Sequence, residues 1–474
     1  MDFALTGYPL SESYRGRFER AIGAAPAYLS LLELRQLPLR QVWSELRRVR
    51  GKRLYIALES DSSRALLPVF YCLAAVCGAA LTQVVHPDLR FEAVGRGQMF
   101  KAMTSAASAS VAGQYSLRAC RREIAQLQKQ GRTAVEFPSD AGRLLYVMSN
   151  LSVGIKAGGS IGHIAGVING LLRHGWKVDV AAAEPPAMAS PQAGFRALTP
   201  PRTFGLPYEL VRYRFHSMMV RQIGSWPEQN EYDAIYQRLS NSNYAGVVLS
   251  RALGLPLIVE YNGSEVWVAN NWGGGLRYPH DASAVEDLCL QHAHLVVTVS
   301  DVLRDELIGR GVEPQRIVSY PNCIDPAVFD PNRFSAADVA ELRQRLGYSP
   351  DARIAGFVGT FGEWHGVDVL AQAIKQLVDT RESELRSTNT RFLLVGDGAK
   401  MPAVQQILNG EKYREFCALP GIVPQAQAPL YMAACDMLLS PHVPNPDGSR
   451  FFGSPTKLFE YMAMGKAIIA SDLE

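Results

Sequence analysis

The sequence predicts an α/β protein: two doubly wound, largely parallel sheets in succession, preceded by a smaller α/β region. Three observations carry this reading. Short apolar runs alternate with helical stretches through most of the chain, the pattern of parallel strands covered on both faces. A polar joint, "QGRTAVEFPSDAG" (Gln130 to Gly142), interrupts the alternation once. A turn-rich segment, "YPNCIDPAVFDP", interrupts it again, and strands and helices restart beyond it. The expected domains are therefore an accessory α/β domain over 1–138, a first lobe over 143–330 and a second lobe over 331–474.

In the accessory region, "KRLYIALES" has the character of a buried strand. The stretch Ala65 to Val85, "ALLPVFYCLAAVCGAALTQVV", is almost uncharged and about as long as the roughly 20 residues a bilayer span needs. It contains Pro68, Thr82 and Gln83, however. A helix from about Ser62 to Cys77 followed by the strand "AALTQVV" makes a βαβ unit of the same residues. That is the reading adopted, with a membrane span as the alternative. Next comes "FKAMTSAASASVAGQYSLRACRREIAQLQKQ", a helical stretch with Arg118, Arg121, Arg122 and Lys129 near its end. A solvated linker helix is the plain reading, and peripheral contact with an anionic membrane surface is the other.

The first lobe's strands are "RLLYVMSN", "WKVDVAAA", "YDAIYQRL", "LPLIVEYN" and "AHLVVTVS". Those of the second are "RIAGFVGT", "RFLLVGDG", "EFCALPG", "CDMLLSPH" and "KAIIASD". In such folds ligands bind beyond the carboxyl ends of the strands, so the loops there hold the candidate chemistry. Gly158 and Gly159 form a glycine-rich turn ahead of a helix, where backbone amides can approach a ligand or phosphate. Asn262 and Glu265 follow a buried strand. In the second lobe "VGTFGEWHG", "VGDGAKM" and the long "SPHVPNPDGSRFFGSPTK" all follow strands.

The last of these loops leads into a helix. Ser454 then Pro455 reads as a capping side chain and a proline at the first helical position. Lys457 is then a cation at the positive end of the helix dipole, which points to a bound anion. Glu460, three residues on, shares its face. The plainer reading is a surface ion pair worth about 0.3 kcal/mol, and the Lys-before-Glu order is the poorer one for that purpose.

Composition limits the alternatives. The chain has 474 residues, 47% hydrophobic and 20% charged, with a net charge of +3, which gives no case for nucleic acid. Seven cysteines without a CxxC imply reduced thiols, and the N-terminus lacks the apolar core of a signal peptide. A cytoplasmic protein is expected, with peripheral contact on the inner face of the membrane as an option. There is no GxxxxGK[ST], HExxH or GxGxxG, and no Asp-x-Asp pair of the kind that chelates a metal for a nucleotide diphosphate. No metal and no cofactor are expected.

From about Arg143 to Glu474 the chain resembles the retaining glycosyltransferases of family 4, which have the GT-B fold of two facing Rossmann-like lobes. The resemblance rests on "VTVSDVLRDELIGRGVEPQRIVSYPNCID", "FVGTFGEWHGVDVLAQAI", "LVGDG" and "SPTKLFEYMAMGKAIIASD", in that order. It implies a nucleotide-sugar donor in the second lobe and a glycan or lipid-linked acceptor in the first, as in polysaccharide or cell-envelope glycan assembly. By it, Lys457 pairs with the diphosphate and Glu460 contacts the ribose. The donor side would also include Gly359, Thr360, Gly362, His365, Gly396, Asp397, Gly398, Arg450, Ser454, Pro455 and Thr456. His163 and Asn262 would position the acceptor, although a capped or solvated helix histidine accounts for His163 equally well.

Three positions depart from the family. Phe452 stands where a glutamate is usual, eight residues before Glu460. Thr360 and His365 stand where Arg and Lys are common, and Asn262 where a histidine often is. His365, if protonated, would assist the diphosphate in place of the lysine. A retaining transfer in which the departing phosphate takes the acceptor's proton needs no strong general base, and fixed donors around the leaving group contribute about 3 kcal/mol each. The alternatives are a nucleotide-sugar epimerase sharing the donor site, or a non-catalytic nucleotide-sugar-binding protein. The chain stops soon after "KAIIASD", so the second lobe is expected to be truncated, lacking its closing helix, and 1–474 alone to be poorly soluble and inactive.

Overall fold

Three sheets succeed one another along the chain in a computed structural model that describes residues 2–473 apart from 8–9, 11, 60, 150–158, 204 and 274. The first contains β1 (Phe3–Thr6), β2 (Ala27–Ser30), β3 (Arg53–Ala57), β4 (Leu81–Val85) and β5 (Phe91–Ala93), in the order β2-β1-β3-β4-β5. Only β5 runs antiparallel. β3, the helix Leu67–Cys77 and the parallel β4 account for the apolar stretch that could have been read as a bilayer span. Among the described residues, no helix is long and apolar enough to cross a membrane. β1 and β2, four residues each, were not anticipated. Strands so short take their order from neighbours, not from their own pattern.

The second sheet has seven parallel strands: β6 (Arg143–Val147), β7 (Lys177–Ala182), β8 (Gly194–Ala197), β9 (Ala234–Arg238), β10 (Leu257–Tyr261), β11 (Leu295–Thr298) and β12 (Ile317–Ser319). Their order is β12-β11-β10-β9-β6-β7-β8. The five apolar runs of the sequence are its centre, and the short edges β8 and β12 are additions. The third sheet holds β13 (Arg353–Val358), β14 (Thr390–Val395), β15 (Cys417–Gly421), β16 (Met437–Ser440) and β17 (Ala467–Ala470), all parallel, in the order β15-β14-β13-β16-β17. β17 is the edge strand, with Ile469 58% exposed.

Strand order reverses between β6 and β9 in one sheet and between β13 and β16 in the other. At such points neighbouring loops diverge and leave a crevice. Entering these crevices are the turn after β13 and the long loop after β16, while most of the segment after β6 lies outside the described residues.

The helix Arg96–Leu127 is not a solvated linker. Its Leu117, Cys120 and Ile124 lie in one core with Leu145, Tyr213 and Met219 of the first lobe, and Gly113 lets Leu210 approach where a Cβ would stand 2.6 Å from it. Half the buried face of a helix placed N-terminal to residue 138 thus belongs to the following lobe.

Candidate functional site

The helix Thr456–Ala463 starts one residue later than the capping pattern suggests. Pro455 occupies the cap position and no side chain caps the helix. Ser454 has another role: its Oγ accepts from the Asn322 N–H at 2.9 Å, while Asn322 Nδ2 donates to its carbonyl at 2.5 Å. The would-be cap is therefore a tie to the segment joining the lobes, and the first N–H groups of the helix lack a capping side chain.

That helix end faces a second one. The first-lobe helix Gly159–Arg173 begins at the glycine-rich turn, and at its Gly162 a Cβ would stand 3.3 Å from Glu460 Oε1 and 3.9 Å from the Thr456 methyl. Two helix N-termini, each positive, meet across the lobes. Gly159 opens the first-lobe helix; Gly158 lies outside the described residues.

Lys457 and Glu460 are buried at 6% and 5% exposure, which excludes a surface ion pair. Lys457 Nζ and Glu460 Oε1 have no hydrogen-bond partner. Lys457 instead lies against the Gly359 turn and over the Phe357 ring, Nζ 4.2 Å from its centroid. Burial lowers its pKa to about 7 against the pull of Glu460. Burial likewise raises the Glu460 carboxyl to about 7, opposed by Lys457.

Of the twelve buried side-chain polar atoms without a partner among the described residues, seven lie in these loops and helices: on Asn262, Trp272, His365, His442, Asn445, Lys457 and Glu460. Unpaired buried polar groups cost about 1–3 kcal/mol each, so a cluster of them marks a place for a polar ligand. His365 leaves Nδ1 free. His442 holds Ser440 Oγ through Nδ1 at 2.9 Å and leaves Nε2 free. The protonated His365 of the sequence reading is corrected here: burial first, then Lys457 and His442, lower its pKa to about 2. His442 is lowered to about 3 by burial and Lys457. Both rings are neutral hydrogen-bonding groups, and Lys457 is the cation among them.

Aromatic rings close the site from both lobes. Trp272 stacks on Trp364 at 5.6 Å, and Trp364 on His442 at 5.0 Å. Phe452, where the resemblance leads to the expectation of a glutamate, presents nothing to a ligand. It is buried at 9% exposure against Trp267 and Trp272, and a Cβ on Gly263 would come within 2.7 Å of its ring.

The remaining residues expected on the donor side divide. Gly396 and Gly398 pack on the turn after β13: a Cβ on Gly396 would meet the Gly359 carbonyl at 1.8 Å, and one on Gly398 the Phe361 carbonyl at 2.6 Å. Asp397 Oδ1 accepts from the Gly398 N–H at 2.7 Å. Gly362 makes room for the His365 ring, and Thr360 is exposed. Thr456 is buried at the helix start. Arg450 is exposed and reaches Asp305 of the first lobe at 3.7 Å.

In the first lobe, His163 and Asn262 converge on a residue that sequence reasoning missed, Glu260. It accepts from Asn262 Nδ2 at 2.6 Å, from the Tyr236 hydroxyl at 2.9 Å and from Arg238, and lies 3.1 Å from His163 Nε2. Burial would raise this carboxyl, but Arg238 above all, then His163 and Asn262, hold it well below the carboxylate range. Burial works against a charge on His163, while the Cys323 sulfur and Glu260 favour one and raise its pKa to about 9. The Cys323 N–H, however, donates to Nδ1 at 3.1 Å and needs a lone pair there, so we assign a neutral ring with its proton on Nε2. With both nitrogens engaged, His163 positions its neighbours and does not act as a free base. Asn262 keeps an unpartnered Oδ1. The signal for Glu260 was a carboxylate inside the apolar run "LIVEYN"; for His442 it was only its place in a long loop after a strand, and Trp272, at the end of the helix Glu265–Asn271, had none.

Fold and site together define a two-lobed protein of paired Rossmann-like sheets with a buried lysine at a helix end between the lobes. Comparison with known proteins narrows this. The family model described as "Glycosyltransferase Family 4" matches residues 157–328 and that described as "Glycosyl transferases group 1" matches 352–474, together more than half of the chain. The chain belongs to the family-4-type glycosyltransferases of GT-B fold. It is 27% identical over 202 residues to a 2-deoxystreptamine glucosyltransferase of Streptomyces kanamyceticus, covering 42% of this chain and 50% of that one. It is 25% identical over 237 residues to TuaC of Bacillus subtilis, described as a teichuronic acid biosynthesis glycosyltransferase, covering 49% and 51%. The chain spans about half the length of these curated relatives. Its fold is similar to that of sucrose-phosphate synthase from Thermosynechococcus elongatus, with a TM-score of 0.50 at 18% identity over 70% of this chain and 82% of that one.

Proposed function

We propose that this chain transfers a sugar from a nucleotide-sugar donor to a glycan or lipid-linked acceptor, with retention and without a metal or other cofactor, in envelope-glycan or polysaccharide assembly. Peripheral contact with the membrane that carries such an acceptor belongs to this reading. The observation that carries it is the convergence of Lys457 with two helix N-termini in a cleft whose polar groups lack partners. Family membership supports it, and so do the relatives' printed activities.

The residues divide the work as follows. The diphosphate lies at the Thr456–Ala463 helix end, where Lys457 and the helix-end amides stabilise the charge that grows as the sugar–phosphate bond breaks. Glu460 meets the ribose hydroxyls. The neutral rings of His365 and His442 offer hydrogen bonds to sugar hydroxyls, a role that needs no charge. Asn262 Oδ1 orients the acceptor hydroxyl, whose proton passes to the departing phosphate. Glu260, His163 and Arg238 hold Asn262 in place.

The test is a thermal-shift screen of the full chain with UDP-, GDP-, ADP- and TDP-sugars. Release of nucleoside diphosphate is then followed with and without glycan and lipid acceptors, with and without a chelator, and the product's anomeric configuration is read by NMR. Acceptor-dependent release indifferent to chelator is expected. Failure of every nucleotide sugar to bind, by a chain shown to be folded, would overturn the proposal.

A further inference from the structure

The helix Arg96–Leu127 has a second face that the fold leaves uncovered. Phe100, Val111 and Tyr115 are 69%, 57% and 65% exposed, and they share that face with Arg118 and Arg122. Their separations of 11, 4, 3 and 4 residues are whole helical turns to within a fraction. The opposite side is the buried one, through Ala102, Ala109, Gly113, Leu117, Cys120 and Ile124. Beside the helix, Leu206 is 78% exposed and fixed there by its N–H donating to Ser110 Oγ at 2.7 Å. The stripe from Phe100 to Arg122 runs about 33 Å at 1.5 Å per residue.

Charge identifies the occupant. The helix carries Arg96, Lys101, Arg118, Arg121 and Arg122 against a single acid, Glu123. Glu123 is turned to the protein, accepting from the Tyr244 hydroxyl at 2.6 Å, and Arg121 is paired with Asp281. Among the described residues Arg118 and Arg122 have no ion pair. A second copy of the chain would bring the same cationic, acid-free stripe, so self-association would set arginine-bearing faces together with no carboxylate between them. Apolar rings side by side with unpaired arginines suit instead a surface that is anionic outside and hydrocarbon just beneath.

We propose that this face is a docking surface for an anionic lipid bilayer, with the helix lying in the membrane plane, Phe100, Val111, Tyr115 and Leu206 in the interface and Arg118 and Arg122 on lipid phosphates. It deepens the membrane contact in the proposed function but does not depend on transfer chemistry, since vesicle binding is read without turnover.

The test is co-sedimentation of the full chain with vesicles of phosphatidylcholine alone or with phosphatidylglycerol added, at low and high salt. Binding only to the phosphatidylglycerol vesicles, weakened by salt, is expected. Arg118→Gln with Arg122→Gln should lower partitioning roughly 30-fold, and Phe100→Ser with Val111→Ser about tenfold. All four positions are exposed, so circular dichroism and donor thermal shift should match wild type in each variant. No sedimentation with the anionic vesicles, or wild-type sedimentation by both pairs of variants, overturns the proposal. So does a dimer in light scattering that Phe100→Ser dissolves, which would give the face to a second copy.

Discussion

Raising the pH should weaken donor binding through Lys457. In the free protein burial holds this ammonium at a pKa of about 7, against an ordinary 10.5, a depression on the order of 5 kcal/mol. A bound diphosphate supplies the partner that the Nζ lacks and restores the pKa toward its ordinary value, so binding takes up a proton wherever the free protein has lost it. The sign follows. Affinity is full below about pH 7 and is lost as pH rises through the free-state pKa, tenfold per pH unit until the bound-state pKa is reached. From pH 7 to 9 that is about 50-fold, or about 2.3 kcal/mol. The assay is calorimetry of a nucleotide sugar, whose diphosphate does not itself titrate near neutrality, in buffers of different ionisation enthalpy. Lys457→Met should bind about 2–3 kcal/mol more weakly at neutral pH and lose the tenfold fall per pH unit, leaving only what the neighbouring Glu460 carboxyl, itself raised to about 7, contributes. A wild-type affinity that does not change between pH 6.5 and 8.5, or a fall of wild-type steepness in Lys457→Met, would refute the assignment of Lys457 as the titrating phosphate contact.

Three further outcomes follow from the geometry. Glu260→Gln leaves Arg238 buried without its carboxylate and should cost about 3–5 kcal/mol in urea unfolding, with Glu260→Leu/Arg238→Met recovering part; a cost under 1 kcal/mol would show the network to be incidental. Phe452→Ala should cost about 3–5 kcal/mol through the cavity left between Trp267 and Trp272, and Phe452→Glu, which restores the family's residue, should destabilise without raising turnover; a gain in turnover would mean the ring can leave its pocket. Because His365 and His442 are held far below 6.5, their share of stability is complete above that pH and lost on acidification, about 1 kcal/mol each by pH 5.5; unfolding at pH 7.0 and 5.5 in His365→Gln and His442→Gln should show this sensitivity reduced, and an unchanged acid response would assign it elsewhere.

The sequence by itself determined the strands at the centres of the second and third sheets and the helix that carries Lys457 and Glu460. It did so because these are local facts: an apolar run five residues long, or two side chains three apart on a helix, needs no partner to be recognised. It also marked the loops after β6, β10, β13 and β16 as the working ends, since crossover connections place them at one edge of each sheet. What the neighbours across the cleft contribute was decided only by the tertiary structure. Ser454 and Pro455 have the composition of a cap, yet Asn322 takes the Ser454 hydroxyl. His365 has the composition of a cation, yet its surroundings keep it neutral. Phe452 could not be assigned to the first lobe's core, nor Arg96–Leu127 split between two cores, from any periodicity of their own. Burial, and with it the charge state of Lys457, Glu460, His365 and His442, is set by side chains up to 300 residues away in sequence, as between Gly162 and Glu460, because desolvation depends on what packs against a group and not on what precedes it in the chain.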